Sequence, residues 1–260
     1  MRRLGQHFLT DRNILRRIVD ALDPRPGETV IEVGPGRGSL TEVLLARGLQ
    51  VVAIERDRAL AEQLRFQVSG VRCQVVTGDA LQLDWHELHS RHLTPDTRHR
   101  LKIIGNIPYA ITSPLLEKAL TPPLPERVVF LVQHEVAQRV AAAPGSKAYG
   151  ALSVGVQAVC RVEKLFAVAP GAFRPPPKVR SALLRLIPRA DPLVRPDEVA
   201  ALRAFVTACF GRRRKQLRNA VPGATRDALL ALGFDPAARP ETLAPADFVR
   251  LLRWSRENVK

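Results

Sequence analysis

The first 185 residues of the chain alternate short β-branched runs with longer stretches of helical spacing. This alternation is typical of an α/β fold with a mostly parallel sheet. Between the first two runs, Leu40, Val43 and Leu44 recur at helical spacing and predict a connecting helix. The runs predict six strands: Thr29–Val33, Val51–Glu55, Cys73–Thr77, Lys102–Gly105, Arg127–Gln133 and Ser181–Ile187.

The pattern changes near residue 188. The stretch Pro188–Pro196 contains three prolines and predicts a linker. Beyond it the hydrophobic spacing is helical only, over Val199–Phe210, Thr225–Leu232 and Pro245–Ser255. The sequence therefore predicts two domains: a Rossmann-like α/β domain over residues 1–188 and a small all-helical domain over residues 189–260.

A glycine-rich loop follows the first predicted strand. Gly34, Gly36 and Gly38 give the spacing G-x-G-x-G, which lets the backbone turn sharply and approach a ligand closely. It differs from the G-x-G-x-x-G of folds that bind a dinucleotide pyrophosphate. Glu55 ends the second strand, 21 residues after Gly34, where a carboxylate can reach a ribose diol.

The third strand also ends beside an acid, at Asp79-Ala80, where a carboxylate can accept an adenine amino group. Ligands of open α/β sheets bind at the carboxyl ends of the strands. A loop without phosphate-binding spacing, followed by two acids, suits S-adenosylmethionine, which has a ribose, an adenine and an amino acid but no phosphate. Taken singly, the glycines can form a plain turn, Glu55 a solvated strand end and Asp79 a helix cap.

The fourth strand runs into Asn106-Ile107-Pro108-Tyr109. Pro108 restricts the residue before it to an extended shape, so the loop can present the Asn106 side-chain oxygen beside a backbone carbonyl. Two acceptors and an aromatic ring complement an exocyclic amine, and they would localise the lone pair of adenine N6 for attack on a sulfonium methyl. Stacking on Tyr109 would hold a flipped base in line with that methyl. The alternative interpretation of the same residues is a proline turn with a tyrosine in the core and no ligand-binding role.

Composition adds a nucleic-acid partner to this interpretation. Lys and Arg number 40 against 25 Asp and Glu, a formal net charge of +15. Such an excess is typical of proteins that bind RNA or DNA, although anionic membrane surfaces attract the same charge. No apolar run approaches the roughly 18 residues of a membrane span, and no signal peptide is recognisable. Three widely spaced cysteines indicate a cytoplasmic protein without disulfides or zinc.

With these motifs in place, the sequence resembles the ribosomal RNA adenine dimethyltransferase family over nearly its whole length. His134 departs from the lysine that the family pattern leads us to expect at this position. The matching segments are Gly5–Leu9, Glu32–Gly38, Asn106–Tyr109, Val132–Ala137, Lys147–Gly150, Phe173–Val179 and Phe210–Asn219.

The resemblance implies a Rossmann-like class I methyltransferase that dimethylates N6 of two adjacent adenosines, in a hairpin loop near the 3′ end of 16S rRNA. It implies S-adenosylmethionine as methyl donor, no metal, and a monomer that acts on the 30S subunit or its precursor. Phe173 is implied as a second aromatic wall of the base pocket, beside the catalytic residues Asn106, Pro108 and Tyr109. The implied donor-binding residues are His7, Leu9, Gly34, Gly36, Glu55, Asp79, Ala80 and Asn106.

The basic run of the second predicted domain lies in or beside a predicted helix start. For an arbitrary protein such a run is most often a solvated face, but beside a site of adenine methylation it suits rRNA phosphates, which position an enzyme without base specificity. The residues expected to bind RNA are Arg212, Arg213, Arg214, Lys215 and Arg218.

Three other functions stay open at this point. A resistance-type methyltransferase acting on 23S rRNA would use the same catalytic loop, although the helical tail favours the small-subunit enzyme. A non-catalytic nucleic-acid-binding factor could be built on the same fold. A nicotinamide oxidoreductase is disfavoured by the G-x-G-x-G spacing and by the positive charge.

Overall fold

The computed structural model describes residues 7–68, 72–91 and 100–258 of the chain. Its main sheet has seven strands in the order β4-β3-β2-β5-β6-β9-β7. The neighbours from β4 to β6 are parallel, and β9 is antiparallel to β6. The strands of this sheet are β2 (Thr29–Val33), β3 (Gln50–Glu55), β4 (Cys73–Thr77), β5 (Lys102–Asn106), β6 (Arg127–Gln133), β7 (Cys160–Val168) and β9 (Ser181–Pro188).

A second, two-stranded sheet joins the N-terminal segment to a distant part of the chain. Strand β1 (Phe8–Leu9) pairs antiparallel with β8 (Phe173–Arg174), so that Leu9 lies opposite Phe173. Thr10 extends the pairing, because both its N–H and its hydroxyl donate to the carbonyl of Ala172. The N-terminal segment is thereby fixed beside the segment around Phe173.

Helices fill the connections of the α/β unit and make up most of the C-terminal part. Asp11, Asp57 and Asp84 cap helices α1, α3 and α4, each accepting hydrogen bonds from two backbone N–H groups of the first turn. The helices are α1 (Arg12–Ala21), α2 (Ser39–Ala46), α3 (Arg58–Gln67), α4 (Trp85–Ser90), α5 (Thr112–Ala119), α6 (His134–Val140), α7 (Ala151–Gln157), α8 (Val199–Gly211), α9 (Leu217–Ala220), α10 (Arg226–Ala231) and α11 (Pro245–Asn258).

The predicted α/β class with a mostly parallel sheet is confirmed, and all six predicted strands form within one residue of their expected ends. Strand β7 was not predicted, because Arg161, Glu163 and Lys164 interrupt its apolar pattern. No helix in the described ranges is long and apolar enough to cross a membrane.

The chain forms two compact units whose limits differ from the single predicted boundary at residue 188. The first unit comprises residues 1–119, 124–137 and 163–187, and the second comprises 120–123, 138–162 and 188–260. The stretch Pro188–Pro196, predicted as a linker, belongs to the second unit. Within the second unit, the Leu193 N–H donates to the Ala158 carbonyl, and Val194 is buried, so this stretch is packed.

A buried ion pair joins the N-terminal ends of the two central strands of the first unit. Lys102 begins β5 and Glu28 immediately precedes β2, and both side chains are almost fully buried. The Lys102 ammonium donates to the Glu28 carboxylate at 2.8 Å and to the Asp23 carbonyl at 2.9 Å. The pair therefore fixes β2 and β5 at the end of the sheet opposite the glycine-rich loop.

Removing the Lys102 ammonium should leave the buried Glu28 carboxylate without this cation. We expect Lys102→Met to lower the free energy of unfolding by about 3–5 kcal/mol, measured by urea denaturation. The double variant Lys102→Met/Glu28→Gln should recover much of this loss, because the buried negative charge is gone. A loss below about 1 kcal/mol in the single variant would show that the ion pair does not have this role.

Candidate active site

The glycine-rich loop after β2 forms one wall of a cavity at the carboxyl ends of the strands. Gly34 and Gly36 have φ angles of 69° and 57°, in the left-handed region that favours glycine. A Cβ atom on Gly36 would come within 2.9 Å of the Phe8 ring. The loop thus needs glycine both for its turn and for the close approach of β1. The cavity is lined by His7, Phe8, Leu9, Leu15, Ile18, Glu32, Gly34, Pro35, Gly36, Arg37, Ser39, Leu40, Glu55, Gly105, Asn106, Ile107, Pro108, Tyr109 and Phe173.

Glu55 is held rigidly at the end of β3. One carboxylate oxygen accepts the Gly36 N–H at 3.0 Å, and the other accepts the Asp57 N–H at 2.9 Å. A carboxylate oxygen has more than one acceptor position, so each retains capacity for a further donor. The side chain is 6% exposed and borders the cavity. This arrangement can receive two hydroxyl donors, as a ribose diol provides.

A second acid, Glu32, lies on the cavity wall although it was not among the predicted site residues. It is buried in β2 and accepts a 2.7 Å hydrogen bond from the Thr41 hydroxyl. The pKa of Glu32 is raised from 4.5 to about 7. Burial is the main cause; the Thr41 hydrogen bond acts in the opposite direction, and repulsion from Glu55 adds to the rise. Its position inside the E-x-G-x-G segment was the available sequence signal.

Asn106 is oriented by the N-terminal segment. Its amide nitrogen donates to the His7 carbonyl at 2.9 Å. Because a carbonyl can only accept, this bond fixes which end of the amide carries the NH₂ and leaves Oδ1 as the acceptor. His7 is itself held by a 2.9 Å contact between its Nδ1 and the Pro175 carbonyl.

The rest of the loop Asn106–Tyr109 is also fixed by hydrogen bonds and ring contacts. The Tyr109 hydroxyl lies 2.9 Å from the Ser181 hydroxyl, and the Tyr109 and His7 rings are 5.9 Å apart. The Pro108 carbonyl already accepts from the Ile111 N–H and the Thr112 hydroxyl. The Ile107 carbonyl accepts no hydrogen bond from the described residues, so it is the open backbone acceptor next to Asn106.

Three predicted site residues are placed less favourably than expected. Asp79 and Ala80 follow β4 but do not border the cavity; Asp79 accepts the Leu81 N–H and lies 3.6 Å from the Arg56 guanidinium. Phe173 borders the cavity, yet it is only 1% exposed and packs in the hydrophobic core. Its ring therefore shows almost no free face for stacking, and the roles of all three stay predictions.

A model of the ribosomal RNA adenine dimethylase family matches residues 1–257. The chain belongs to this family. The resemblance noted in the sequence is confirmed, although its first two residues, Gly5 and Gln6, lie outside the described ranges.

Relatives and solved structures agree with this assignment. A Hahella chejuensis protein described as ribosomal RNA small subunit methyltransferase A is 44% identical over 96% of this chain and 90% of its own. The crystal structure of a dimethyladenosine transferase from Plasmodium falciparum matches with a TM-score of 0.79 and 28% identity, covering 96% and 98% of the two chains. That of the 23S rRNA methyltransferase ErmE matches with a TM-score of 0.70 and 29% identity, covering 95% and 98%.

The basic run of the second unit, Arg212–Lys215 with Arg218, divides into residues near Glu241 and residues that line a surface pocket. Arg213 is engaged: its guanidinium contacts the Glu241 carboxylate at 3.2 Å and the Lys147 carbonyl at 3.1 Å. Arg214 is exposed beside it. A separate surface pocket is lined by Arg212, Lys215, Arg218, Asn219, Val221, Gly223 and Ala224.

Another segment shared with the family has a structural explanation. Tyr149 of the Lys147–Gly150 segment is fully buried in the second unit, and its hydroxyl donates to the Leu243 carbonyl at 2.9 Å. Its ring packs edge-on against Phe210, which in turn contacts Phe248. This segment therefore builds the core of the second unit and takes no part in the cavity.

Among the described residues, no group of three His, Cys, Asp or Glu side chains is arranged to hold a metal ion.

The raised pKa of Glu32 makes the stability of the ligand-free protein depend on pH. A carboxyl group with a raised pKa in the folded state stabilises the fold at low pH. This contribution is lost progressively from the unfolded pKa near 4.5 to the folded pKa near 7. We expect wild type to lose about 3 kcal/mol relative to Glu32→Gln between pH 4.5 and pH 8, measured by denaturation at each pH. Parallel pH profiles for the two proteins would contradict the buried, protonated carboxyl.

Proposed function

We propose that this protein transfers methyl groups from S-adenosylmethionine to N6 of two adjacent adenosines in the hairpin loop near the 3′ end of 16S rRNA. The observation that carries the proposal is the fixed orientation of Asn106. Its Oδ1 is left as an acceptor in the same cavity as the glycine-rich loop and Glu55. The substrate is suggested by the small-subunit name of the Hahella relative.

The residues of the cavity fit the donor. The backbone turns at Gly34 and Gly36 beside the cavity, and Glu55 offers two fixed acceptors to the ribose hydroxyls. When bound, the donor supplies a methyl group on a positively charged sulfur. Side chains and backbone of the chain then have to present the adenine nitrogen in line with that methyl.

The catalytic loop can do this without a titrating base. Asn106 Oδ1 and the Ile107 carbonyl would accept the two N6 hydrogens, and the Tyr109 ring would stack on the flipped base. With its hydrogens held by these two acceptors, N6 would direct its lone pair at the methyl group that the bound donor supplies, and the sulfur would keep the electrons of the C–S bond. The proton of the resulting ammonium leaves to water, and a second round adds the second methyl group.

The test is to map methylated adenosines after incubating the protein with S-adenosylmethionine and 30S particles that lack these methyl groups. We expect two methyl groups on each of two adjacent adenosines, read by mass spectrometry of nuclease fragments. Protein-free 23S rRNA serves as the competing substrate, because ErmE is structurally similar. Methylation of 23S rRNA alone would replace the proposed substrate, and methylation of neither RNA would refute the activity.

Asn106→Ala should keep the fold and reduce the methylation rate about a hundredfold or more, as expected for loss of a positioned transition-state hydrogen bond. Single-turnover rates at saturating donor measure this, and thermal melting checks the fold. A rate close to that of wild type would exclude Asn106 from gripping the amine.

The basic pocket of the second unit should bind rRNA phosphates. Arg212→Gln, Lys215→Gln and Arg218→Gln should each weaken 30S binding and reduce the slope of log affinity against log salt by up to about one unit. Arg213→Gln is the matched control, because its charge is already paired with Glu241, and it should lower the melting temperature more than the salt slope. The opposite pattern would assign RNA binding to Arg213.

A further inference from the structure

A groove runs between α1 and α2 on the surface of the first unit. We propose that it binds the sugar-phosphate backbone of the substrate RNA next to the adenosine that enters the cavity. The inference rests on the proposed function and adds a substrate-binding site outside the catalytic loop and the basic pocket. The groove is lined by Thr10, Arg12, Leu15, Arg16, Ser39, Glu42, Val43, Ala46 and Arg47.

The groove lies next to the active-site cavity. Leu15 and Ser39 line both of them, so the two spaces share a wall. Thr10 at the same end directly follows Leu9, which also borders the cavity. An RNA strand with one base in the cavity therefore has a path for its neighbouring phosphates along this groove.

Arg12 and Arg16 do not stabilise helix α1 through its dipole. Arg12 is the first residue of α1, at the positive end of the helix dipole, and Arg16 lies one turn further along the same face. Asp11 uses its carboxylate to cap the backbone N–H groups of Asn13 and Ile14. Within the described residues, no carboxylate forms an ion pair with Arg12 or Arg16.

Neighbouring guanidinium groups, by contrast, have partners inside the protein. Arg17 stacks over the Phe166 ring, with 3.8 Å from its guanidinium carbon to the ring centre. Arg47, at the far end of the groove, pairs with Asp20. Glu42 is the one carboxylate on the described lining, which also carries the two unpaired cations Arg12 and Arg16. A phosphodiester is the anion that fits, because guanidinium groups bind phosphate oxygens through paired N–H donors.

The experiment compares Arg12→Gln/Arg16→Gln with Arg17→Gln and Glu42→Gln. The probe is a fluorescein-labelled RNA hairpin with two adjacent adenosines in its loop, titrated at several salt concentrations. The double variant should bind about tenfold more weakly, with a salt slope shallower by up to about two units. Arg17→Gln, at the neighbouring arginine that stacks on Phe166 and does not line the groove, should change the slope by less. Glu42→Gln should tighten binding, because it removes the repulsive charge.

Calorimetry with S-adenosylmethionine and methylation of 30S particles complete the test. Donor affinity and turnover at saturating RNA should be unchanged in the double variant, since binding outside the reacting atoms affects the apparent KM and not kcat. Equal RNA binding by the double variant and Arg17→Gln would overturn the inference. So would a loss of donor affinity with unchanged RNA binding, which would give the groove to the donor. If wild type itself fails to methylate 30S particles, it is the proposed function that fails.

Discussion

The close approach of β2 and β5 at their carboxyl ends determines how the cavity is built. A Cβ atom on Gly105 would lie 2.5 Å from the Val33 carbonyl oxygen, so only glycine lets the two strands run together to this point. Val33 is followed by Gly34, which opens the glycine-rich loop, and Gly105 is followed by Asn106, which ends β5 and opens the proposed catalytic loop. The loop proposed to bind the methyl donor and the loop proposed to bind the adenine are therefore adjacent, because the backbones of β2 and β5 are in close contact.

The N-terminal segment completes what the strands begin. The His7 carbonyl orients the Asn106 amide, and the Phe8 ring occupies the space that the missing side chain of Gly36 leaves. Pairing of β1 with β8 holds this segment in place. The proposed catalytic amide of Asn106, at the end of a strand, is thus positioned by a residue 99 places earlier in the chain.

Local pattern accounts for what the sequence could predict. Alternating apolar runs located six strands, and the glycine spacing located the loop that binds the proposed donor, because these features depend on neighbours in the chain. The bond between His7 and Asn106 and the contact of Tyr109 with Ser181 join residues 99 and 72 positions apart, and no local pattern records them. The packed stretch at Pro188–Pro196 was missed for a related reason, since proline content indicates a break in regular structure but does not show whether the segment is buried.

Net charge has the same limit, because it does not show which cations are already paired inside the protein. The formal charge of +15 counts every cation equally, but a cation can attract RNA fully only when its own protein has not already neutralised it. Among the described residues, Arg213 and Arg47 are paired with carboxylates, whereas Arg12 and Arg16 are not, although all four carry the same charge. An arginine without a partner raises the local potential and pays a cost in self-repulsion that only an external anion can offset. The distribution of unpaired guanidinium groups, more than their number, therefore indicates where a polyphosphate chain would lie on this protein.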